Sequence, residues 1–273
     1  MQRSDTSYTL VFAGIVCIVC SIIVSGASVL LRDRQQENML LERQRNVLVV
    51  TGVVEDPRRL STEKVRWYFD SAPDVDVPWY IEEILVDLET GMEAELDKVK
   101  MPFDMERAAR DPDMSRPVDG EHARGAQIRT VSRYGTVYLV RKRGQDEVVQ
   151  IVIMIRGQGL WSTMAGYLAM EADGKTIRGI TFYEHGETPG LGGEIDNVDW
   201  QRRWEGRVAY DDQGSPAMVM RKGGAGPPGE DPHGFDGLSG ATITARSVEH
   251  TVNFWLGPHG YGPFLKRFSG EQD

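Results

Sequence analysis

The hydropathy pattern begins with an uninterrupted apolar stretch. Residues 8–31 contain no charge, and the polar members Thr9, Ser21, Ser25 and Ser28 are small enough to bond their own helix backbone. One membrane crossing needs roughly 20 predominantly apolar residues. The stretch therefore predicts a single transmembrane helix over 8–31, behind a short tail at 1–7. A secretory signal peptide is the rival, with Ser25, Gly26 and Ala27 as its cleavage site. The length of the run and its weakly basic flank favour an uncleaved anchor. Beyond it, Leu40, Leu41, Val47 and Leu48 recur at roughly helical spacing and carry a helix from 32 to about 50.

The pattern then changes. Residues 61–69 read as a short capped helix, and 84–88, alternating with acids, read as a strand entering the Glu89-Thr90-Gly91 turn. Residues 97–127 are polar, are interrupted by Pro102, Pro112 and Pro117, and predict mostly irregular chain. A β-rich block follows at 136–141, 148–155, 164–170 and 177–183, with Asp173-Gly174 as the hairpin turn between the last two. Residues 199–204 predict a short helix and 217–221 a strand. The Gly- and Pro-rich stretch 223–234 predicts a loop or a disordered insertion. A last helix spans about 242–255 and ends at Gly257-Pro258. Strands in runs with helices at the ends predict an α+β fold: one transmembrane helix followed by a single mixed sheet/helix domain. The expected division is a helical and irregular connecting region over 32–130 packed on the domain, the domain proper over 131–265, and a tail over 266–273.

Composition narrows the function. At 273 residues there is room for one anchor and one domain of moderate size. A net charge of −10 argues against nucleic acid or an anionic membrane surface as partner. Both cysteines, Cys17 and Cys20, lie inside the apolar stretch. Without a soluble βαβ context they read as small side chains facing lipid or helix, and the remainder of the chain has no disulfide or cysteine metal site. One span without an ionisable residue cannot form an ion path alone. There is no Gly-x-Gly-x-x-Gly fingerprint for a dinucleotide. His185 shows no metal spacing with His122, His233, His250 or His259, which points to a loop-positioning or exposed histidine. No catalytic residue and no metal ligand is expected.

The most specific chemistry lies in Asp236-Gly-Leu-Ser-Gly-Ala-Thr242, followed by a helix start. Gly240 permits a tight turn and close approach of a ligand to the backbone. Thr242 falls in the first helical turn, where unpaired N–H groups and the helix dipole favour a phosphate. Such a hydroxyl is placed to bind a phosphate or to be esterified by one. The bland alternative is a Ser-capped helix after a glycine turn. A serine hydrolase using Ser239 is disfavoured, because the Gly-x-Ser-x-Gly elbow is missing and no acid–base partner can be assigned.

This run resembles the flavinylation signature Asp, two variable residues, Ser or Thr, Gly, Ala, Thr, in which FMN is joined through its phosphate to the last threonine. The match falls on Asp236, Ser239, Gly240, Ala241 and the acceptor Thr242, with Thr244 as the nearest rival hydroxyl. His185-Gly-Glu-Thr-Pro-Gly-Leu-Gly192 and Gly159-Leu-Trp-Ser-Thr-Met-Ala-Gly-Tyr167 resemble further segments of FMN-binding domains. Arg43-Gln-Arg-Asn-Val-Leu48, Val86-Asp-Leu-Glu-Thr-Gly91, Asn253-Phe-Trp-Leu-Gly257 and Gly260-Tyr-Gly-Pro-Phe264 are similar to the C subunits of the sodium-translocating NADH:quinone oxidoreductases. The G subunit of RNF-type complexes shares the flavin signature but lacks the 43–48 and 254–264 matches.

The resemblance implies a one-electron carrier with covalent FMN in a bacterial inner membrane, passing electrons between an iron–sulfur centre and the FMN of the B-type subunit. It implies contacts with the B, D and E type membrane subunits, maturation by a flavin transferase, and a periplasmic domain. The last point runs against the charge bias, since Arg32, Arg34, Arg43 and Arg45 follow the span and only Arg3 precedes it. An isoalloxazine wants an apolar sandwich with a few placed polar groups. Leu160, Leu191 and Trp161 are the expected ring-packing side chains. Gly190, Gly192 and Gly193 are the expected close-approach positions, and Glu187 and Thr188 the expected hydrogen-bond partners. A membrane-tethered interaction domain without flavin is the reading from another class.

Overall fold

The computed structural model describes residues 3–72, 75–95, 99 and 103–270. The first helix, α1 (Arg3–Thr51), contains one segment, Ser7–Arg32, with a mean hydropathy of 2.6, long and apolar enough to cross a membrane. The side chains of this segment are not buried, and Cys17 and Cys20 are exposed, whereas Val47, Leu48 and Val50 at the end of α1 are buried. Contacts divide the chain into two compact units, Met1–Arg43 and Gln44–Asp273.

The second unit is built on one antiparallel five-stranded sheet. In chain order its strands are β1 (Trp79–Asp87), β4 (Tyr134–Lys142), β5 (Val148–Gln158), β6 (Thr163–Glu171) and β7 (Ile177–Glu184), and they lie in that spatial order. Successive hairpins make β4 to β7 a meander, and β1 pairs β4 with Ile84 opposite Val137. The hydrophobic runs of β4, β5 and β6 are buried on both faces, because both faces are covered. On one face Tyr138, Tyr167 and Tyr183 stand on three strands with ring centroids 6.0 and 5.2 Å apart. Phe69 of α2 (Thr62–Phe69) meets Tyr138 edge-on at 6.3 Å. Gly179 lies under the Val50 carbonyl at the end of α1, where a Cβ would come within 2.9 Å.

The short helix expected at 199–204 is α5 (Val198–Arg202), which follows β7 through the 185–197 loop. The opposite face of the sheet carries α6 (Thr242–Leu256). A Cβ on Gly157 of β5 would lie 2.0 Å from the Thr251 hydroxyl, so glycine is what lets this helix settle on the sheet. Trp255 donates from Nε1 to the Arg156 carbonyl at 2.7 Å, and Tyr261 donates to the Thr136 carbonyl at 3.0 Å. These bonds satisfy the polar ends of two buried aromatics while fixing helix to sheet.

Expectation and structure differ in three places, and at a fourth, 223–234, the expected loop forms in an ordered state. β1 begins at Trp79, five residues before the predicted strand, because its outer half pairs with Leu139–Lys142 rather than alternating cleanly. The segment expected to be mostly irregular holds α3 (Met105–Arg110), β2 (Ser115–Pro117) and α4 (Glu121–Gly125), with β2 paired to β3 (Thr130–Ser132); the part of it at 97, 98 and 100–102 lies outside the described residues. Asp104 starts α3 by accepting from the Glu106 and Arg107 amides, both at 3.0 Å. The stretch 223–234 is a loop held at both ends, with Asp231 accepting a two-pronged bond from Arg221 at 2.8 and 2.9 Å. The chain from 262 also forms α7 (Gly262–Phe268), which runs into the expected tail.

Candidate functional site

Two short strands deliver the motif. β8 (Val219–Arg221) and β9 (Gly234–Asp236) pair in parallel, with Arg221 opposite Asp236. β8 is fixed to α6 by Asn253, which accepts from the Met218 amide at 3.0 Å and donates to its carbonyl at 2.7 Å. Behind β9, Phe235 stacks on Trp204 at 4.3 Å. The chain leaving β9 turns through Gly240, whose φ of 71° is the left-handed region glycine tolerates, and enters α6 at Thr242.

The start of α6 is open. Its N-cap is Ala241 and no side chain caps it, so the Ser-capped helix expected as the bland alternative does not form. Thr242 and Ser239 are exposed, whereas Ala241 is buried. An uncapped 15-residue helix presents unsatisfied N–H groups and the positive end of its dipole beside the Thr242 hydroxyl. An esterified phosphate there would take up those donors.

Glu187 ties the three loops around this point together. It is 5% exposed, yet both carboxylate oxygens have partners: Oε1 accepts from the Trp161 amide at 3.0 Å and Oε2 from the Thr244 hydroxyl at 2.5 Å. A Cβ on Gly192 would lie 2.6 Å from both Glu187 Oε2 and the Thr244 hydroxyl, and one on Gly159 would lie 2.5 Å from Oε1. The two glycines are the space the carboxylate occupies. His185 completes the support: its Nδ1 accepts from the Glu187 amide at 3.2 Å, so the proton sits on Nε2, which faces Asp196 at 2.7 Å. His185 is thus a positioning residue for this loop.

The structure brings the expected residues together in two groups. Leu160, Trp161 and Leu191 are exposed large apolar side chains, Trp161 at 69%, and Leu191 reaches Gly240. Thr188 is exposed, and its carbonyl accepts from the Leu191 and Gly193 amides at 3.1 and 2.9 Å, which shapes the loop. Glu187 and Thr244 face inward and hold the loops rather than the open side. Asp236 also faces inward. Its Oδ2 pairs with Arg203, its Oδ1 accepts from the Ala225 amide at 2.8 Å, and its carbonyl accepts from Trp200 Nε1 of α5 at 2.8 Å. Three groups escaped the sequence reading: Ile243, an apolar side chain 59% exposed next to Thr242, and the cations Arg203 and Lys222. Arg203 and Lys222 line, with Thr242, a groove of about 450 Å³. Ile243 simply follows Thr242 in the chain, whereas Arg203 comes to the groove through its pairing with Asp236 and Lys222 through the β8–β9 pairing, which nothing local in the sequence marks.

These residues fit FMN. The open helix start suits its phosphate, and the exposed Leu160, Trp161, Leu191 and Ile243 give an apolar seat for a flat ring.

The comparisons with known proteins point the same way. A family model for FMN-binding domains matches residues 159–257, which contain both the Glu187 loop and Thr242. A Yersinia pestis protein, named as the C subunit of a Na(+)-translocating NADH-quinone reductase, is 45% identical over 259 residues, 95% of this chain and 91% of its own length. The chain belongs to the C-subunit family of Na(+)-translocating NADH-quinone reductases. The C-subunit relative from Pseudomonas aeruginosa is 39% identical over 97% of this chain and 96% of its own. Among solved structures, NqrC of Shewanella oneidensis superposes with a TM-score of 0.72 at 31% identity, covering 87% of this chain and 99% of that one. As expected for a C subunit, an N-terminal apolar helix precedes an α+β domain.

Proposed function

We propose that this C-subunit chain is a one-electron redox carrier with FMN phosphoester-linked to Thr242, working inside a membrane Na(+)-translocating NADH:quinone reductase. The observation that carries the reading is the exposed Thr242 hydroxyl at the uncapped start of α6, within a full match to the flavinylation signature. When bound, the flavin supplies the electron chemistry, and the protein supplies position, tether and electrostatics. Thr242 prevents loss of the cofactor. Leu160, Trp161, Leu191 and Ile243 offer it apolar contact, and the first-turn amides of α6 bind its phosphate. Glu187, through the Trp161 amide and Thr244, keeps those parts in register. Gly192 leaves room for that carboxylate, and Thr188 shapes the loop's open edge.

The remaining parts of the reading concern context. The Ser7–Arg32 segment is a single-pass anchor, the domain lies in the periplasm, and residues 131–265 form the flavin domain, whose sheet β1 from the preceding region completes. The B, D and E type subunits are its redox neighbours, and a flavin transferase installs FMN from a flavin dinucleotide. The relatives found are named as C subunits of the sodium-translocating reductase, which favours this complex over an RNF-type one. Co-expression with a flavin transferase, followed by denaturing electrophoresis, tests the tether. The chain is expected to stay fluorescent as a flavoprotein, and Thr242→Ala to be dark. A colourless wild-type chain would instead support a tethered interaction domain without flavin.

A further inference from the structure

The parallel pairing of Arg221 with Asp236 has a second product besides the Thr242 turn. It makes the chain beyond β8 leave the same end of the ribbon as the chain beyond β9, so Lys222 and Thr242 line one groove. Gly223 and Gly224, with φ of 80° and 102°, turn the chain sharply after Lys222. Asp236 holds that turn through the Ala225 amide at 2.8 Å. The strand leading into it is fixed as well: Arg221 is bound by Asp231, and the Met220 amide donates to Glu249 of α6 at 2.6 Å. The two cations on the groove differ. The Arg203 guanidinium is committed to Asp236. Lys222 is exposed and makes no hydrogen bond or ion pair among the described residues. An aligned strand end, two left-handed glycines and a buried carboxylate thus present one free ammonium group on the groove that Thr242 also lines.

Building on the phosphoester reading, we infer that Lys222 is the cation that pairs with the phosphoryl group joined to Thr242, and that Asp236 is the positioning residue for the loop that carries it. In the joining reaction Thr242 Oγ forms the new bond to the flavin-side phosphorus of a flavin dinucleotide. The phosphorus–oxygen bond to the adenylate breaks, AMP leaves, and the hydroxyl proton passes to a base on the transferase. Nothing is oxidised or reduced. The product diester keeps one negative charge, which the Lys222 ammonium balances. The groove would take the phosphate, and the exposed Leu191 and Trp161 would offer apolar contact to the ring.

The test uses the full chain, co-expressed with a flavin transferase and followed by intact mass. Wild type is expected to gain one FMN moiety. Lys222→Met is expected to incorporate flavin about two- to fivefold more slowly, the effect of one solvent-exposed ion pair. Lys222→Arg should restore most of the rate, and Lys266→Met on α7 should behave as wild type. A second readout separates the phosphoryl contact from a contact with the transferase: the 31P resonance of the purified flavinylated chain should move in Lys222→Met and stay put in Lys266→Met. If wild type gains the mass and Lys222→Met gains it equally fast, the inference falls while the phosphoester reading stands. A slowed incorporation with an unmoved 31P resonance overturns it too, since Lys222 would then serve the transferase. A wild-type chain without the added mass overturns both.

Discussion

Thr244→Val isolates the bond that holds the site together. Valine matches threonine in shape, so the change removes one hydroxyl without opening a cavity. The hydroxyl donates to a carboxylate at 2.5 Å, and its partners are 1% and 5% exposed, so water does not replace it. A hydrogen bond to a charged group contributes about 1.5–3 kcal/mol, and an abandoned buried acceptor sets the upper part of that range. For a unit of this size the loss corresponds to a fall of roughly 3–12 °C in Tm. The assay is denaturant unfolding of the detergent-solubilised chain, followed by the near-ultraviolet signal of its tryptophans. The expected result is a lower midpoint with an unchanged slope, and Ser239→Ala, on an exposed hydroxyl, should move the midpoint little. FMN should still attach to the Thr244→Val chain, because this hydroxyl is buried and Thr242 is not. A stability change below about 0.5 kcal/mol would refute the inward role given to Glu187 and Thr244.

Other consequences concern the loop and the far end of the same helix. Gly192→Ala brings a methyl group to 2.6 Å from both Glu187 Oε2 and the Thr244 hydroxyl, so it should cost about 1–3 kcal/mol in the same unfolding assay; a neutral result would mean the loop is looser than described. His122 of α4 faces His250 of α6 with Nδ1 atoms 3.2 Å apart, an arrangement that needs one ring to donate and the other to accept. Burial, then the His250 charge, hold His122 below its ordinary value of 6.5, while Glu121 and Glu249 pull weakly upward. The folded state therefore binds fewer protons than the unfolded one. This contribution is fully present above pH 6.5 and is lost as pH falls below it. Unfolding midpoints at about pH 7.5 and 5.5 should converge in His122→Gln, and an unchanged pH slope would count against the pair. Trp161→Ala removes an exposed ring and should leave stability nearly intact while raising the mobility of the bound flavin, read as fluorescence anisotropy.

The fold was legible wherever a residue's neighbours in sequence also decide its structure. The β4–β7 meander follows from four apolar runs with turn residues between them, and α6 follows from its period and from Gly257. Ser61 caps α2 as its sequence position requires, accepting from the Lys64 amide at 3.3 Å. The short pieces α3, β2 and α4 were not legible, because none is long enough to show a period and each is fixed by packing.

The site divides in the same way. Its exposed Thr242, its glycines and its apolar loop residues were readable as a motif. Its supports were not. Glu187 and Thr244 are 57 residues apart, and Glu187 read as a hydrogen-bond partner of the flavin, since its inward bond to Thr244 exists only in the fold. Asp236 read only as the first position of the flavinylation signature. Its partners Arg203, Ala225 and Trp200 come from elements that β9 only meets once the sheet ribbon forms.

The central claim is tested most directly by digesting the native chain, recovered from membranes active in quinone reduction, and fragmenting the peptide that spans residues 236–246. The account predicts that the peptide carries the mass of one FMN moiety, with fragment ions placing it on Thr242. Recovery of that peptide unmodified, or with the flavin on Thr244, would contradict it.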